Sequence, residues 1–377
     1  MVGMRDVAKQ AGVSLSTVSL VVNKNGYVSD DMRIRVEDAM KTLNYIPNEL
    51  ARNLYRGRTN LVGVIVPTVR HPFFSSMIAA IQGALAKRGL RTMLCSTVDA
   101  DQSETDCVDM LRRHMMDGLI MAAHTAHEPI YWTSIGRPIV AFDRYLGAGI
   151  PSVGSDHDSG GQLVAEHLIA TGAKHVVSIG GPRSQFIDYG GGMGTTFPTV
   201  RLHAALEGLL NEAGVRYDYV EAGEVANLEH QRDVALHVID EYPDADAFVG
   251  SDYITAYVVQ SALRQGRRIP DDLQIVAYDG TGMADSAGVR LTCVRQDFDA
   301  LAEQIVTRLI QACETADGKL DADHVGRIDE DTASPHDVAE AMDLVPVSFH
   351  QGESTRGQVS RAGSFRTSGE PGASGMA

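Results

Sequence analysis

The sequence predicts an α/β protein in which a small, all-helical N-terminal domain precedes a much larger domain of doubly wound parallel sheets. The first 46 residues contain three short segments whose apolar side chains recur at helical spacing. From residue 61 onward, apolar runs typical of buried parallel strands alternate with helical segments, which is the pattern of doubly wound sheets. A chain of 377 residues has room for both domains.

The three helices predicted in residues 1–46 include a helix-turn-helix. The first helix covers residues 4–11 and ends at Gly12, which supplies the left-handed conformation that stops a helix. Ser14 then caps a second helix over residues 15–22, because its hydroxyl can accept a hydrogen bond from an unpaired backbone N–H. The link between these helices is short enough for a tight helix-turn-helix unit, and a third helix completes the domain.

Residues 47–60 are predicted to connect the two domains. Pro47 and Asn48 break the chain, and residues 48–56 then form a helix-compatible segment that ends at Gly57. Nine residues alone are marginal as a helix in water. We therefore expect the order of this segment to depend on something that it binds.

The large domain is predicted to span residues 61–356. A helical segment over residues 73–88 follows its first strand, and residues 314–343 are acidic and turn-rich, which indicates an extended connection or an insertion. The Gly-, Ser- and Arg-rich residues 357–377 have a composition that suits disorder. The predicted strands are residues 61–67, 118–121, 138–142, 175–179, 247–250, 273–277 and 344–350.

The net charge of −16 is unusual for a protein that binds nucleic acid, because neutralising phosphates requires Lys and Arg. The charge is unevenly distributed, however. Residues 1–60 hold nine basic and six acidic side chains, so the head carries +3 and the remainder −19. A mildly basic head before an acidic body confines affinity for DNA to the head.

Cysteine usage and the absence of apolar runs indicate a cytoplasmic protein. The four cysteines, Cys95, Cys107, Cys293 and Cys313, are far apart, so we expect reduced thiols and no structural disulfide. The N-terminus lacks the features of a signal peptide, and no run of about 18 apolar residues is present. We expect neither export nor insertion into a membrane.

The most specific motifs lie in the head, and they resemble the lactose-, galactose- and purine-repressor family of bacterial transcription regulators. A chance helix-turn-helix on an unrelated α/β protein is the alternative, but matching text continues in order through about residues 3–356. The matching runs in the head are DVAKQAGVS at residues 6–14, STVS at 16–19, VN at 22–23 and LNYIPN at 43–48. Those in the body include GVIVP at 63–67, HPFF at 71–74, DR at 143–144, EHL at 166–168, IPDDL at 269–273 and RQ at 295–296.

The resemblance implies that the second helix enters the major groove of double-stranded operator DNA. Leu20 departs from the family, because many relatives have Arg or His there and leucine offers only apolar contact to a base. The operator sequence that relatives prefer therefore cannot be assigned to this protein. By position, Leu15, Ser16 and Leu20 read bases, while Met4, Ser14, Thr17, Ser19, Asn23 and Tyr27 contact or flank the DNA backbone.

Residues 48–56 resemble the family's hinge helix, which folds on the operator when two subunits pair. Asn48, Ala51 and Leu54 are the DNA contacts that this resemblance implies. Leu54 stands where the family's leucine wedges into a base step from the minor groove and kinks the duplex. The alternative for Leu54 is an ordinary packing residue.

For the body, the resemblance implies two periplasmic-binding-protein-like lobes with a small-molecule effector, most simply a sugar, between them. Lobe one is expected to comprise residues 61–158 and 293–320, and lobe two residues 161–290 and 340–356. Ser251 replaces a family asparagine, which leaves the preferred ligand open. The effector contacts implied by position are Phe73, Phe74, Asp143, Arg201, Asp252 and Asp279, although Arg201 could instead be a surface arginine on a helix.

Three other motifs suggest chemistry but lack the required context. Residues 155–158 (SDHD) contain the residue types of a hydrolase triad, yet adjacency in sequence does not create triad geometry. Residues 190–194 (GGGMG) resemble a phosphate-binding loop but do not directly join a strand to a helix. His124 and His127 have no evident third metal ligand. We therefore predict no catalytic residue, no metal site and no cofactor.

The function that these observations predict is a transcription regulator, with repression as the default, that binds a palindromic operator as a homodimer. Effector binding would change the angle between the lobes, which requires different affinities for the two arrangements. The alternatives are a sugar receptor without a role on DNA and a sugar-processing enzyme. A phosphocarrier protein as partner, the operator, the effector and the sign of its action stay open. We expect the protein in the cytoplasm, at the nucleoid when it is bound to its operator.

Overall fold

The computed structural model describes residues 2–23, 25–47, 58–99, 104–123, 127–186, 198–316, 318 and 342–357. Several predictions therefore lie outside the described residues. They concern Asn48, Ala51 and Leu54 of the linker, the glycine-rich residues 190–194, His124, residues 358–377, and most of the acidic segment 314–343.

Three helices form the N-terminal domain, as predicted. Val7, Val18 and Val36, one from each helix, are fully buried and form the centre of a small core. Gly12 adopts the left-handed conformation (φ 64°), and the Arg35 guanidinium donates to the carbonyl oxygens of Ala11 and Gly12. This contact fixes the turn between the first two helices. The helices are α1 (Met4–Ala11), α2 (Leu15–Asn23) and α3 (Asp30–Thr42).

Lobe one of the large domain consists of β1 (Leu61–Val66), α4 (Pro72–Lys87), β2 (Arg91–Ser96), α5 (Glu104–Arg112), β3 (Gly118–Met121), α6 (Pro129–Thr133), β4 (Ile139–Phe142), β5 (Ser152–Ser155), α12 (Phe298–Ala316) and β11 (Met342–Val345). Its six strands form an entirely parallel sheet with the order β11-β5-β4-β3-β1-β2. Helices α4 and α12 cover one face, and α5 and α6 cover the other.

Lobe two repeats this architecture with the order β12-β10-β9-β8-β6-β7, in which only β12 is antiparallel. Helices α7 and α8 cover one face, and α9, α10 and α11 cover the other. The elements are α7 (His157–Ala170), β6 (His175–Gly180), α8 (Pro198–Glu212), β7 (Arg216–Glu221), α9 (Leu228–Glu241), β8 (Ala247–Ser251), α10 (Asp252–Arg264), β9 (Gln274–Asp279), α11 (Gly282–Ser286), β10 (Thr292–Arg295) and β12 (Ser348–His350). The predicted α/β fold class, with two doubly wound lobes behind a helical head, is confirmed.

Within the described residues the chain crosses between the lobes three times, and two of these crossings differ from the prediction. Residues 344–350 were expected to form one strand of lobe two, but they hold the end of β11 in lobe one and β12 in lobe two. Pro346 lies between these strands, and a proline cannot donate a ladder hydrogen bond. β10 belongs to the sheet of lobe two, so lobe one resumes only after Arg295 and not at residue 293.

The expectation of four reduced cysteines is wrong. Cys95, at the end of β2, and Cys107, in α5, are joined by a disulfide and are almost completely buried beneath the sheet of lobe one. Both cysteines belong to one buried cluster that also contains side chains of β1 and β3. Their separation of 12 residues in sequence did not reveal that they meet.

Candidate functional site

The second helix of the head divides into a buried side and an outward side. Val18 and Val21 point into the core, whereas Leu15 and Leu20 are 43% and 37% exposed, and Ser16 is also exposed. The outward side of α2 is thus available for contact with another molecule.

Hydroxyl groups cluster at the N-terminal end of α2. The Ser14 Oγ accepts a hydrogen bond from the Thr17 N–H at 3.1 Å, which confirms the predicted cap, and it lies 2.7 Å from Ser16 Oγ and 2.8 Å from Thr17 Oγ1. The same end of a helix carries its unpaired N–H groups and a partial positive charge. Hydroxyl and N–H donors together suit a negatively charged partner such as a phosphate.

The remaining head residues predicted to contact DNA have different surroundings. Asn23 donates from Nδ2 to Ser19 Oγ at 3.2 Å, on the later turns of α2. Tyr27 is 92% exposed, whereas Met4 is half-buried and packs against the core of the head. Exposure therefore suits a contact role for Tyr27 better than for Met4.

Phe73 and Phe74 lie at the start of α4, where the helix begins against the other lobe. Both are buried: the Phe73 ring stacks on Phe142 with centroids 6.0 Å apart and meets Phe74 edge-on at 5.2 Å. The rings thus complete the core of lobe one. They do not stand free as an aromatic surface.

His71, directly before these phenylalanines, was not predicted as a site residue. Its Nδ1 accepts from the Phe73 N–H at 3.3 Å, and its ring lies 5.9 Å from the ring of Tyr253 in lobe two. Burial lowers the pKa of His71 to about 4, so the imidazole is neutral at physiological pH. This pair marks a place where the two lobes meet.

Asp143 follows β4 and belongs to a buried hydrogen-bond network at the first crossing. Its Oδ1 accepts from the Ser155 N–H at 3.0 Å and lies 3.2 Å from Nε2 of His157. The other nitrogen of that ring, Nδ1, lies 2.6 Å from the hydroxyl of Tyr278 in lobe two. His157 therefore links a carboxylate of lobe one with a phenol of lobe two.

A second route joins the lobes through Gln296, at the crossing after β10. Gln296 donates from Nε2 to Asp279 Oδ1 at 3.0 Å, and its Oε1 accepts from Ser155 Oγ at 2.7 Å. Asp279 has φ 133°, in the region that L-residues rarely adopt, and such conformations concentrate at functional sites. Hydrogen bonds thus run without interruption from Asp279 of lobe two to Asp143 of lobe one.

Asp252, at the first position of α10, lies close to Asp279. Its carboxylate is fully buried and accepts from Thr281 N–H, from Thr281 Oγ1 at 2.8 Å and from Gly280 N–H at 3.3 Å. Burial raises the pKa of Asp252 to about 6. Burial, together with the neighbouring Asp252, raises the pKa of Asp279 well above its usual range. Both residues stand at carboxyl ends of strands, where open α/β sheets bind ligands.

Arg201, on α8, forms an ion pair with Asp158 on α7 and is mostly buried, so it is not the solvated surface arginine that was the alternative. The other residues of the SDHD run also have separate tasks. Asp156 caps α7 by accepting from Ser159 N–H, and Ser155 Oγ donates to Gln296. These contacts do not form the relay of a hydrolase triad, which requires a serine hydroxyl bonded to the histidine.

The described residues contain neither a cluster of metal-ligating side chains nor a membrane-spanning helix. In that part of the chain, no group of three or more His, Cys, Asp or Glu side chains could hold a metal ion. None of the described helices is both long enough and apolar enough to span a bilayer.

Two family models match the chain. One, described as bacterial regulatory proteins of the lacI family, matches residues 3–48, and the other, described as periplasmic binding proteins and sugar binding domain of the LacI family, matches residues 59–311. The ribose operon repressor of Halalkalibacterium halodurans is 31% identical over 82% of this chain and 91% of its own length. The sucrose operon repressor of Streptococcus mutans is also 31% identical, over 84% and 95%.

Solved structures show the same fold. A lac repressor dimer bound to operator and the anti-inducer ONPF superposes with a TM-score of 0.72 at 23% identity, covering 94% of this chain and 99% of that chain. A complex of the regulator CelR with cellobiose gives 0.61, with 94% and 100% covered. The predicted family, and the prediction of a regulator and not an enzyme, are confirmed. The two family models and the curated relatives show that this chain belongs to the LacI family of bacterial transcription regulators.

Proposed function

We propose that the protein is a repressor that binds a palindromic operator as a homodimer and is controlled by a neutral carbohydrate between its lobes. One observation carries this proposal: polar side chains of both lobes converge on the crossings, where the network from Asp143 to Asp279 is built. A ligand that contacts both lobes there would favour one lobe arrangement over the other. The names of the relatives, which repress ribose and sucrose operons, support a carbohydrate.

On the DNA side, we propose that Leu15, Ser16 and Leu20 contact bases from the outward side of α2. Ser14 and Thr17 would hold backbone phosphates through their hydroxyls, with Ser19, Asn23 and Tyr27 beside them and Met4 in support from the core. Asn48, Ala51 and Leu54 stay predictions from the resemblance. Two copies of the chain would place two recognition helices on the two half-sites of the operator.

On the effector side, three buried carboxylates favour a ligand that donates hydrogen bonds and carries no negative charge. Asp143, Asp252 and Asp279 are buried close together, and the raised pKa of Asp279 reflects burial and the cost of holding several negative charges there. A phosphorylated sugar would bring a further negative charge next to them, which costs free energy in a place of low dielectric. The hydroxyls of a neutral sugar can donate to these carboxylates, and Arg201 can donate to the oxygens of the sugar. Phe73 and Phe74 would support the site from the core of lobe one, without a free aromatic face.

We expect a dimeric operator-binding protein in the cytoplasm, where its DNA lies, and at the nucleoid while it is bound. A phosphocarrier protein remains the alternative partner, and a titration of the protein–operator complex with such a protein, in parallel with sugars, separates the two.

Selection of bound duplexes from random DNA with the full-length protein tests the proposal directly. We expect one palindromic motif, and we expect ribose, sucrose, cellobiose or lactose to change the amount of DNA retained. Leu20→Asp should abolish selection, because a carboxylate on α2 would face the DNA. Ile169→Asp, at a side chain of matched exposure (39% against 37%) on α7, should select the wild-type motif. Failure of the wild-type protein to select any motif, with or without the sugars, would overturn the proposal.

A further inference from the structure

The Asp117 carboxylate clamps the first residues of the effector domain. Its Oδ1 accepts from the Thr59 N–H at 2.7 Å and from Thr59 Oγ1 at 2.9 Å, and its Oδ2 accepts from the Asn60 N–H at 2.7 Å. Hydrogen bonds to an ionised acceptor are about twice as strong as neutral ones. Three such bonds on two consecutive residues hold this piece of chain in one position.

The clamp stands where the chain enters lobe one from the DNA-binding head. Thr59 and Asn60 directly precede β1, and Asp117 directly precedes the neighbouring strand β3. The Asp117 N–H donates to Leu61 O at 2.8 Å, and the Arg91 N–H donates to Asn60 O at 2.8 Å, so the first residues of three strands are bonded together. Asn60 is held in the left-handed conformation (φ 55°) by these contacts.

Lobe two contains the same device in another context. Asp246 directly precedes β8, and its Oδ1 accepts from the N–H groups of Lys174 and His175, both at 2.9 Å, at the start of β6. The Asp246 N–H donates to His175 O at 3.1 Å, and the Arg216 N–H donates to Lys174 O at 3.0 Å. Here the clamped residues follow α7 of the same lobe. Each lobe thus contains a clamp of this kind. Of the two, the Asp117 clamp is the one that holds the part of the chain leading to the DNA-binding residues.

We propose that Asp117 is a positioning residue for operator binding: it fixes the point at which the DNA-binding segment leaves lobe one. A displacement of lobe one then moves that segment as well. If residues 59–61 were loosely held, they could change conformation during the displacement and leave the segment in place. Coupling between distant sites requires elements that move as units, and the clamp makes residues 59–61 part of the sheet. This inference rests on the proposed function.

The test compares Asp117→Asn with Asp246→Asn in the full-length protein. Each substitution removes the carboxylate charge and should lower the thermal stability of its lobe. At 117 the new amide N–H₂ faces a backbone N–H donor. At 246 one oxygen holds both backbone bonds, so the N–H₂ group can take the side that faces Arg356. The probe is the duplex recovered in the selection from random DNA, and the readout is its Kd by fluorescence anisotropy. Amide hydrogen exchange of residues 58–61 and 173–176 reports on each clamp without DNA. Thr59→Val, which removes only the hydroxyl bond, provides a milder variant.

We expect Asp117→Asn to speed hydrogen exchange of the Thr59 and Asn60 amides by about tenfold or more. We expect it to raise the Kd for the operator by about 2- to 30-fold, which is the range found for substitutions that change the coupling between sites. Thr59→Val should give a smaller change in the same direction, and Asp246→Asn a change in Kd below about twofold. Equal effects of Asp117→Asn and Asp246→Asn on the Kd, or none from Asp117→Asn, would refute the positioning role. Unchanged exchange would refute the clamp itself. A wild-type protein that selects no duplex refutes the proposed function instead, and the exchange data still decide on the clamp.

Discussion

The imidazole of His157 and the carboxylate of Asp143 lie 3.2 Å apart at the first crossing between the lobes, and both side chains are nearly fully buried. The same imidazole reaches the Tyr278 hydroxyl of lobe two at 2.6 Å. One side chain therefore provides a hydrogen-bonded link between the lobes. A ligand that moves the lobes relative to one another must keep or break this link.

His157→Ala should destabilise the protein by about 2–4 kcal/mol, because it leaves a cavity and deprives two buried polar groups of their partner. Urea unfolding at neutral pH measures the loss. His237→Ala, at an exposed histidine on α9, is the matched control and should change the free energy of unfolding by less than about 0.5 kcal/mol. Similar losses in both variants would mean that the bridging contact contributes nothing specific.

Asp252→Asn should become more stable relative to the wild type as the pH rises from about 4 to above 6. The pKa of Asp252 is raised to about 6 in the folded protein and is close to 4 in the unfolded chain, so between these values the folded state binds more protons. The contribution of this carboxyl to stability therefore falls as the pH rises through that window, and the variant lacks this loss.

Two pKa units correspond to about 2–3 kcal/mol, which is the growth of the stability difference expected from Asp252 across the window. The neighbouring Asp279 adds to it in the same direction, because its raised pKa partly reflects the charge of Asp252 that the variant lacks. Urea unfolding of both proteins at several pH values measures it. The buried His71, whose pKa is lowered to about 4, is present in both proteins, so its opposite pH dependence cancels in the difference. A difference that stays constant from pH 4 to 7 would show that Asp252 titrates normally.

Local chemistry explains which parts of the fold could be predicted. Gly12 and Ser14 dictate the helix-turn-helix through a left-handed stop and a cap, and both act within a few residues. Six predicted strands are apolar and lie inside their sheets: β1, β3, β4, β6, β8 and β9. The edge strands β11 and β12 were predicted as one strand, and the short inner strands β5 and β10 were missed. The edge strands β2 and β7 have mixed polarity and half-exposed faces, so hydrophobic patterning did not reveal them.

The parts that sequence did not predict depend on contacts between distant residues. His71 and Tyr253 are 182 positions apart and meet only because the lobes do. Asp143, Asp252 and Asp279 were predicted individually from the resemblance, but their hydrogen-bond partners Gln296 and Thr281 were not. A polar residue directly after a strand, as at Gln296, was the available signal.

Leu20→Arg should change which operator the protein prefers. An arginine at this exposed position of α2 can bond O6 and N7 of a guanine, for about 1–3 kcal/mol of discrimination between bases. Selection from random DNA should therefore yield a motif with a guanine at one position of each half-site. Thr17→Ala, by contrast, removes a hydroxyl that is proposed to contact the phosphate backbone of the DNA. It should weaken binding to all DNA sequences about equally.

Ile169→Arg is the control for added charge, since it places the same cation at a side chain of similar exposure on lobe two. It should retain the wild-type motif. If Leu20→Arg also retained that motif and merely bound all duplexes more tightly, Leu20 would not lie at a base.

Reduction of the disulfide between Cys95 and Cys107 should lower the free energy of unfolding by about 3 kcal/mol. The bond closes a short loop between β2 and α5, and opening it returns conformational entropy to the unfolded chain. Urea unfolding with and without dithiothreitol measures the loss, and the double variant Cys95→Ser, Cys107→Ser should not respond to the reductant. Cys313→Ser keeps the disulfide and should respond to the reductant as the wild type does.

Thiol titration of the denatured, unreduced protein should find two reactive groups among the four cysteines, because the other two are held in the bond. Four reactive groups would show that the buried sulfurs pack together without a covalent bond.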